Sequence, residues 1–529
     1  MKKWFVVTIL ALAQFVMVLD STVMNVSISE VVADLDTTVA GLQMAITFYT
    51  LTMAAFMLFG GKLGDIWGRL KIFRIGAVIY AIGSLITGLS QNLFTLTIGW
   101  SFIEGFGAIL IIPAIAALVA ANYKGRDRVV AYAIIGGISG AAAAAGPIIG
   151  GFVTTYFSWR YVFFSEVIIM IAVLLLSTKI ADNRVRSLEK IDIRSVLLVA
   201  SGMSILVFGM LQSKVWGWIT PQAKPELFGK EIAPFDISLV AYFIVIGGLL
   251  LWAFFERQKR LEAANKNPLL KPSLFKIQQL RGGLSVLASQ YTIIAALFFA
   301  MPIYLQMTLG LDALDTGIKI LPLSIALIIF SVLGSRAISY AGPKTIIRVG
   351  QYALVAGAAI ILIAIDPDLK NWAFSVGVFI AGAGLGLLAS QLGNINMSAV
   401  SEKMTGEVGG LQGTAQNIGS SLGTALIGSI LITALTTAFV ANINQSNLPS
   451  NVKSYVQNNS QAGVAVISGP EVVKAAEKKG LSQQESKEIE EIYTNSQLSA
   501  LKQSLFFVVI LAIVGIPLSR NITNKKIAN

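Results

Sequence analysis

The segment LDSTVMNVSI, Leu19 to Ile28, decides the fold, because it sets a carboxylate, Asp20, inside a run that otherwise has to cross a membrane. From Phe5 to Leu19 no residue is charged. Asp20 comes about 15 residues into the run, roughly 22 Å along a helix. That lies past the middle of a hydrocarbon core about 30 Å thick. A carboxylate at that depth costs on the order of 3 kcal/mol unless it faces protein or water. Much of the remaining sequence is therefore expected to build a protein-lined, alternately opened cavity around this acid.

Working outward, the composition agrees. The 529 residues are 55% hydrophobic and only 13% charged, against about 25% charged in a soluble domain. Apolar runs long enough to span a bilayer recur fourteen times, the first at 5–29 and the last at 502–519. With an even number of crossings, both termini share one side. A cytoplasmic N-terminus puts 28 of the 40 Lys and Arg in cytoplasmic segments, as the positive-inside rule requires. The net charge of +12 then reflects topology and anionic-lipid contact, and no nucleic-acid partner is expected. The basic start, Lys2 and Lys3, precedes an apolar run too long for a typical signal peptide, so the first helix is read as retained.

The chain contains no cysteine and no histidine. That removes disulfides, thiolate ligands and the usual switch group near neutral pH. Proton-linked chemistry has to use carboxylates, and no metal site or cofactor is expected. There is no phosphate-cradling G-x-x-x-x-G-K-[ST] loop, so ATP drive is not expected, and without His and Cys no nucleophile–base pair can be built, so no enzyme active site is expected.

An internal repeat shows in the loops. GGKLGDIWGRLKIF (Gly60–Phe73) after the second run and GSRAISYAGPKTII (Gly334–Ile347) after the tenth share small and basic residues at similar spacing. The expected fold is all-α: two six-helix halves around a midplane site, plus two linker helices. Residues 1–181 form the N-terminal half and 182–280 the linker, with helices 7 and 8 and a basic cytoplasmic segment expected on the membrane surface. Residues 281–529 form the C-terminal half, including the external loop 441–500. Within that loop, Ser482 and Glu485 fit a capping box, which points to one or two short amphipathic helices.

The loop GKLGDIWGRLK, Gly61 to Lys71, resembles the signature between helices 2 and 3 of the major facilitator superfamily, G-x-L-a-D-r-x-G-r-k. Gly61, Leu63, Asp65, Gly68 and Arg69 match, while Ile66 replaces the basic residue after the Asp. GPIIGG, with Gly146, Pro147, Gly150 and Gly151, resembles that superfamily's antiporter motif on helix 5. LDSTVMNVSI resembles the first-helix motif L-D-x-T-V-x-N-V-A-x-P of its 14-helix drug:proton antiporters, the QacA/EmrB-like group, with Ser29 in place of the motif's Pro. The resemblance implies a proton-driven exporter, with Asp65 and Arg69 in a cytoplasmic gate. In the family's helix-4 motif, R-x-x-Q-G-x-G, Ser101 stands for the Arg and Glu104 for the Gln.

Three acids fall inside apolar runs of the first half: Asp20, Glu104 and Glu166. Each can carry a proton or meet a cation. Each also has a structural alternative, which for Asp20 is a fixed hydrogen bond with Asn25, Thr22 or Ser27. Asn25 is taken with the acids as a coupling or substrate residue. The cavity wall is expected from Met24, Trp100, Phe106, Tyr291, Gln306 and Asn394, since aromatic faces attract cations and Met adapts to varied shapes. Together these features predict a multidrug:proton antiporter of the cell membrane, working as a monomer, with lipophilic and often cationic small molecules, protons and membrane lipids as partners. The alternatives are an exporter of an endogenous lipid or metabolite, and a membrane sensor or assembly protein that uses the external loop.

Overall fold

The apolar runs are helices. The structure, a computed structural model, describes residues 3–123, 125–180, 191–221, 225–227, 230–266, 268–338, 340–367, 369, 372–400, 404–460 and 463–524. The long helices are α1 (Phe5–Val26), α2 (Val39–Trp67), α3 (Arg69–Gly88), α4 (Leu93–Leu96, Thr97–Glu104 and Gly105–Asn122 in continuation), α5 (Gly125–Tyr156), α6 (Arg160–Ser177) and α7 (Ile193–Trp216). They continue with α8 (Leu239–Ala263), α9 (Gln278–Ile303, extended by Tyr304–Thr308), α10 (Ala313–Ala337), α11 (Pro343–Ala364), α12 (Ala373–Ser398), α13 (Thr405–Gln445) and α14 (Gln483–Gly515). Among the described residues, thirteen helices are long and apolar enough to cross a bilayer outright. The other, α5, bends by 42° between Ile134–Ala143 and Ala145–Tyr156. Pro147 explains the bend, since it has no N–H for the carbonyl four residues back. The protein is thus a multi-pass membrane protein.

The predicted repeat is visible in the packing. In the first six helices α1 packs on α5 and α6, α3 on α4 and α6, and α2 on α4. In the last six α9 packs on α13 and α14, α11 on α12 and α14, and α10 on α12. Adding eight to each number turns the first set into the second. The two halves meet through α2 on α13 and α5 on α10, a pair of contacts that the same shift exchanges. Helices α7 and α8 pack mainly on each other, and α7 also touches α2 and α13. The connection between them carries a two-stranded antiparallel ladder, β1 (Glu226–Leu227) with β2 (Lys230–Glu231).

The face at which α1 begins is termed the terminal face, and there Lys3 pairs with Asp127 at 2.9 Å. The basic segment after α8 is more structured there than a surface-lying strip. Arg257 grips Asp192 through two bonds of 2.7 and 2.8 Å. The Gln258 side chain donates to Ser195 Oγ and accepts from the Leu269 amide. Lys271 pairs with Glu407 at the start of α13. Buried polar groups need partners, and these supply them.

At the distal face α13 runs for 41 residues, roughly 60 Å at 1.5 Å per residue, well beyond a bilayer core. The segment between α13 and α14 carries two short helices, Ser450–Asn459, which packs on this extension, and Gly469–Lys478, which packs on α14. The predicted capping box at Ser482 and Glu485 is present, but it opens α14 itself rather than a separate short helix. A second box, Ser468 with Glu471, opens Gly469–Lys478. Tyr493 of α14 packs edge-on against Phe439 of α13. Its hydroxyl donates to the Ala465 carbonyl and accepts from the Ile467 amide.

Candidate functional site

The three intramembrane acids converge. Asp20 of α1, Glu104 of α4 and Glu166 of α6 are all buried, and oxygens from the three carboxylates lie within 4.8 Å of one another. Local sequence explains how they meet. Gly83 of α3 faces the Glu104 backbone so closely that a Cβ there would sit 2.4 Å from the Glu104 nitrogen. Small residues at such a crossing let helices approach in lipid. The stretch Thr97–Glu104 of α4 is π-helical, a geometry frequent at functional sites, and it carries both Trp100 and Glu104.

The partners differ from residue to residue. Trp100 Nε1–H donates to both Asp20 oxygens, at 2.9 and 3.0 Å. The Trp100 ring stacks on Tyr49 of α2, with centroids 4.8 Å apart. Glu166 accepts from Ser84 Oγ at 3.1 Å. Both Glu104 oxygens, the other Glu166 oxygen and the Tyr80 hydroxyl are buried without a hydrogen-bond partner. The fixed-bond alternatives for Asp20 do not occur. Thr22 donates to backbone carbonyls of its own helix, Asn25 donates to the Ser21 carbonyl, and Ser27 pairs with Thr154. Tyr49, Tyr80 and Ser84 do not stand out in the sequence. The signal available is the four-residue spacing of Tyr80 and Ser84, which puts two polar groups on one face of an apolar helix.

The antiporter-like glycines form a seam on the distal side. A Cβ on Gly146 would strike Thr22 Oγ1 at 1.8 Å, and one on Gly150 would strike Val23 at 2.9 Å, both on α1. Across the halves, a Cβ on Gly151 would lie 2.5 Å from the Ala313 carbonyl of α10, and one on Gly317 would lie 2.3 Å from the Pro147 carbonyl. By contrast, Gly136 and Gly137, nearer the terminal face on α5, have nothing within 4 Å of that position. Gln306, expected in the cavity wall, instead closes the distal side. Its Nε2–H donates to the Val26 carbonyl at 2.6 Å, and its Oε1 accepts from Ser29 N–H and Oγ–H.

At the terminal face Gly68 takes φ +100° between α2 and α3, a conformation that favours glycine. Gly61 looks across at Pro113, and Arg69 donates to the Ala117 carbonyl of α4 at 3.3 Å. The Asp65 side chain lies outside the described residues, as does the charge cluster expected around it. Of the remaining wall residues, Met24 is buried in the core, Tyr291 is half-buried and Asn394 is exposed. Trp100 and Phe106 were expected to share one wall. Trp100 reaches Asp20 instead, while Phe106 and its neighbour Phe102 pack on Phe56 and Phe48 of α2. Phe48, Phe56 and Phe102 line an apolar cavity of about 340 Å³, together with Ser204, Phe208 and Phe243 of α7 and α8.

Comparison with known proteins places this architecture. The chain is 25% identical over 426 residues to the probable actinorhodin transporter of Streptomyces coelicolor, covering 79% of this chain and 70% of that protein. It is 28% identical to the tetracenomycin C resistance and export protein of Streptomyces glaucescens, over 78% of this chain and 73% of the relative. Among solved structures, a bacterial homologue of the human lysosomal transporter Spinster, inward-facing and unoccupied, shares the fold. Its TM-score is 0.57 at 14% identity, with 98% of this chain and 97% of that chain covered. The family model described as Major Facilitator Superfamily matches residues 10–424. Twelve of the fourteen long helices in two exchangeable sets, sequence relatives and the family match agree: the chain belongs to the major facilitator superfamily.

Proposed function

We propose that the protein is a proton-coupled exporter of lipophilic, often cationic compounds, working by alternating access of the two halves. The observation that carries this reading is the buried triad of Asp20, Glu104 and Glu166. Two unit charges about 4 Å apart repel by about 4 kcal/mol at an effective dielectric of 20. Three ionised carboxylates in one pocket are therefore unstable without protons or a cation. Taking up protons from one side and releasing them when a cationic substrate approaches from the other is antiport in its simplest form. Relatives named for actinorhodin transport and for tetracenomycin C resistance and export support outward movement of small molecules.

In this reading residues 1–181 carry the coupling site, 182–280 buttress it, and 281–529 supply the facing wall. Gly146, Pro147, Gly150 and Gly151 form the distal seam, and Asp65 with Arg69 gates the terminal face. That face is cytoplasmic in the cell membrane, and the protein works as a monomer. A second reading, export of an endogenous lipid or lipophilic metabolite, is favoured by the phenylalanine-lined cavity between α2, α4, α7 and α8.

The test is transport in inverted vesicles under an imposed proton gradient. Ethidium is expected to move against its gradient and to release protons, and Asp20→Asn is expected to abolish both. An Asp20→Asn protein that transports like wild type at every pH overturns the reading. Proton release driven by a neutral lipid but not by ethidium selects the second one.

A further inference from the structure

We infer that the triad is also a binding site for one hard divalent cation of the size of Ca²⁺, held between α1, α4 and α6. The absence of histidine and cysteine removes nitrogen and thiolate ligands, but not an all-oxygen set. Oxygen-only donors select hard cations over Zn²⁺ or Cu⁺. The spacing selects size. Two oxygens on opposite sides of a Ca²⁺ ion lie at most about 4.6–5.2 Å apart, from Ca–O distances of 2.3–2.6 Å. Around Mg²⁺, at 2.0–2.1 Å, the limit is about 4.0–4.2 Å. One oxygen from each acid lies within 4.8 Å of the others, inside the limit for the larger ion.

Unsatisfied lone pairs mark the place. Both Glu104 oxygens and one Glu166 oxygen are buried and unpartnered, costs that a bound ion removes. Independently, the Tyr80 hydroxyl is fully buried, lies close to the Glu104 carboxylate and makes no contact with full hydrogen-bond geometry. Its oxygen is free to join the shell or to bind a water that does. No Lys or Arg takes part in a salt bridge with the triad among the described residues. Ser84 fixes Glu166 and Trp100 fixes Asp20, the kind of outer contacts that orient carboxylate ligands. Tyr49 and Tyr80 are the other titratable side chains within electrostatic reach of all three acids. This site shares its residues with the proposed coupling centre, but its readout is binding and not transport.

Purified full-length protein in nanodiscs of zwitterionic lipid is titrated with Tb³⁺, whose luminescence Trp100 is positioned to sensitise, and by equilibrium dialysis with radioactive Ca²⁺. The expected result is saturable binding of one ion per chain. Ca²⁺ should displace Tb³⁺, with Mg²⁺ much weaker. Glu104→Gln and Glu166→Gln should each abolish the saturable phase. Ser84→Ala, which keeps all three ligands, should weaken it on the order of 10–100-fold. Trp100→Phe, which removes the contact that orients Asp20, should weaken Ca²⁺ binding on a similar scale and also dim the luminescence. If the glutamine variants fail to fold, Ser84→Ala and Glu104→Asp carry the test. Absence of saturable binding in wild type overturns the inference even where proton-driven transport is intact. Binding that persists in a monodisperse Glu104→Gln, Glu166→Gln double variant also overturns it.

Discussion

Replacing Gly151 or Gly317 by alanine should hold the distal seam open. The added methyl of Gly151→Ala meets the Ala313 carbonyl at 2.5 Å and the Leu314 Cα at 2.9 Å. That of Gly317→Ala meets the Pro147 carbonyl at 2.3 Å. These are backbone atoms, which cannot rotate away as a side chain can, so α5 and α10 must separate. Overpacking of this kind costs about 1–3 kcal/mol, and only in the conformation with the seam closed. The population ratio of open to closed seam therefore rises roughly 5- to 150-fold. The natural chain has no cysteine, so a single probe, Val26→Cys, reports without background. Val26 is buried beneath the Gln306 contact. A membrane-impermeant maleimide applied from the distal face should label it faster by about that factor in either alanine variant. Gly136→Ala and Gly137→Ala lie on the same helix with open space around them, and they should label like the parent. Equal labelling in all four variants would refute the seam.

Further expectations concern other contacts. Trp100→Phe keeps the stacking on Tyr49 but removes the donor to Asp20; a hydrogen bond to a charged group is worth about 1.5–3 kcal/mol. Initial-rate assays in vesicles should therefore show at least about a tenfold loss of transport. Tyr493→Phe keeps the ring against Phe439 but leaves the Ile467 amide unpaired, costing about 1–3 kcal/mol. Limited proteolysis should then cut the external segment 463–482 faster, with transport unchanged. The Arg257 guanidinium holds the Asp192 carboxyl below the usual carboxylate range, against a smaller opposing effect of burial, with Ser195 assisting. A lowered pKa in the folded state contributes stability above the ordinary value, near pH 4, and loses it as the pH falls through the lowered one. Asp192→Asn should thus reduce thermal stability at neutral pH by about 1 kcal/mol, discounted for solvent exposure. The difference from wild type should vanish in strong acid.

Much of this arrangement is legible in the chain because lipid imposes simple rules. Fourteen apolar runs and the charge bias fix the spans, and the Gly60–Phe73 and Gly334–Ile347 loops disclose the repeat. Asp20, Glu104 and Glu166 stand out because acids are costly in such runs. Their convergence is not legible. It depends on the crossing at Gly83 and on the π-helical stretch Thr97–Glu104, both of which are matters of helix rotation and approach. Gln306 reads as a cavity-wall residue because hydropathy gives its depth but not its neighbour across the halves. The external segment departs from expectation for a related reason. The capping box at Ser482 is readable in the sequence, but nothing local signals that its helix runs on unbroken into the membrane.

The distal seam has an electrical consequence. Its contacts are glycine against carbonyl and the amide of Gln306 against backbone and Ser29, with no ion pair between α5 and α10 or between α1 and α9 among the described residues. Opening it carries no formal charge through the membrane field and desolvates no ion. The membrane potential, worth about 2.3 kcal/mol per elementary charge per 100 mV, therefore finds nothing to pull on at the seam. If the triad couples protons as proposed, voltage dependence in the cycle arises where the carboxylates gain or lose their countercharge. Current recorded during turnover then reports the state of the triad, while ionic strength leaves the seam's rate of opening nearly untouched.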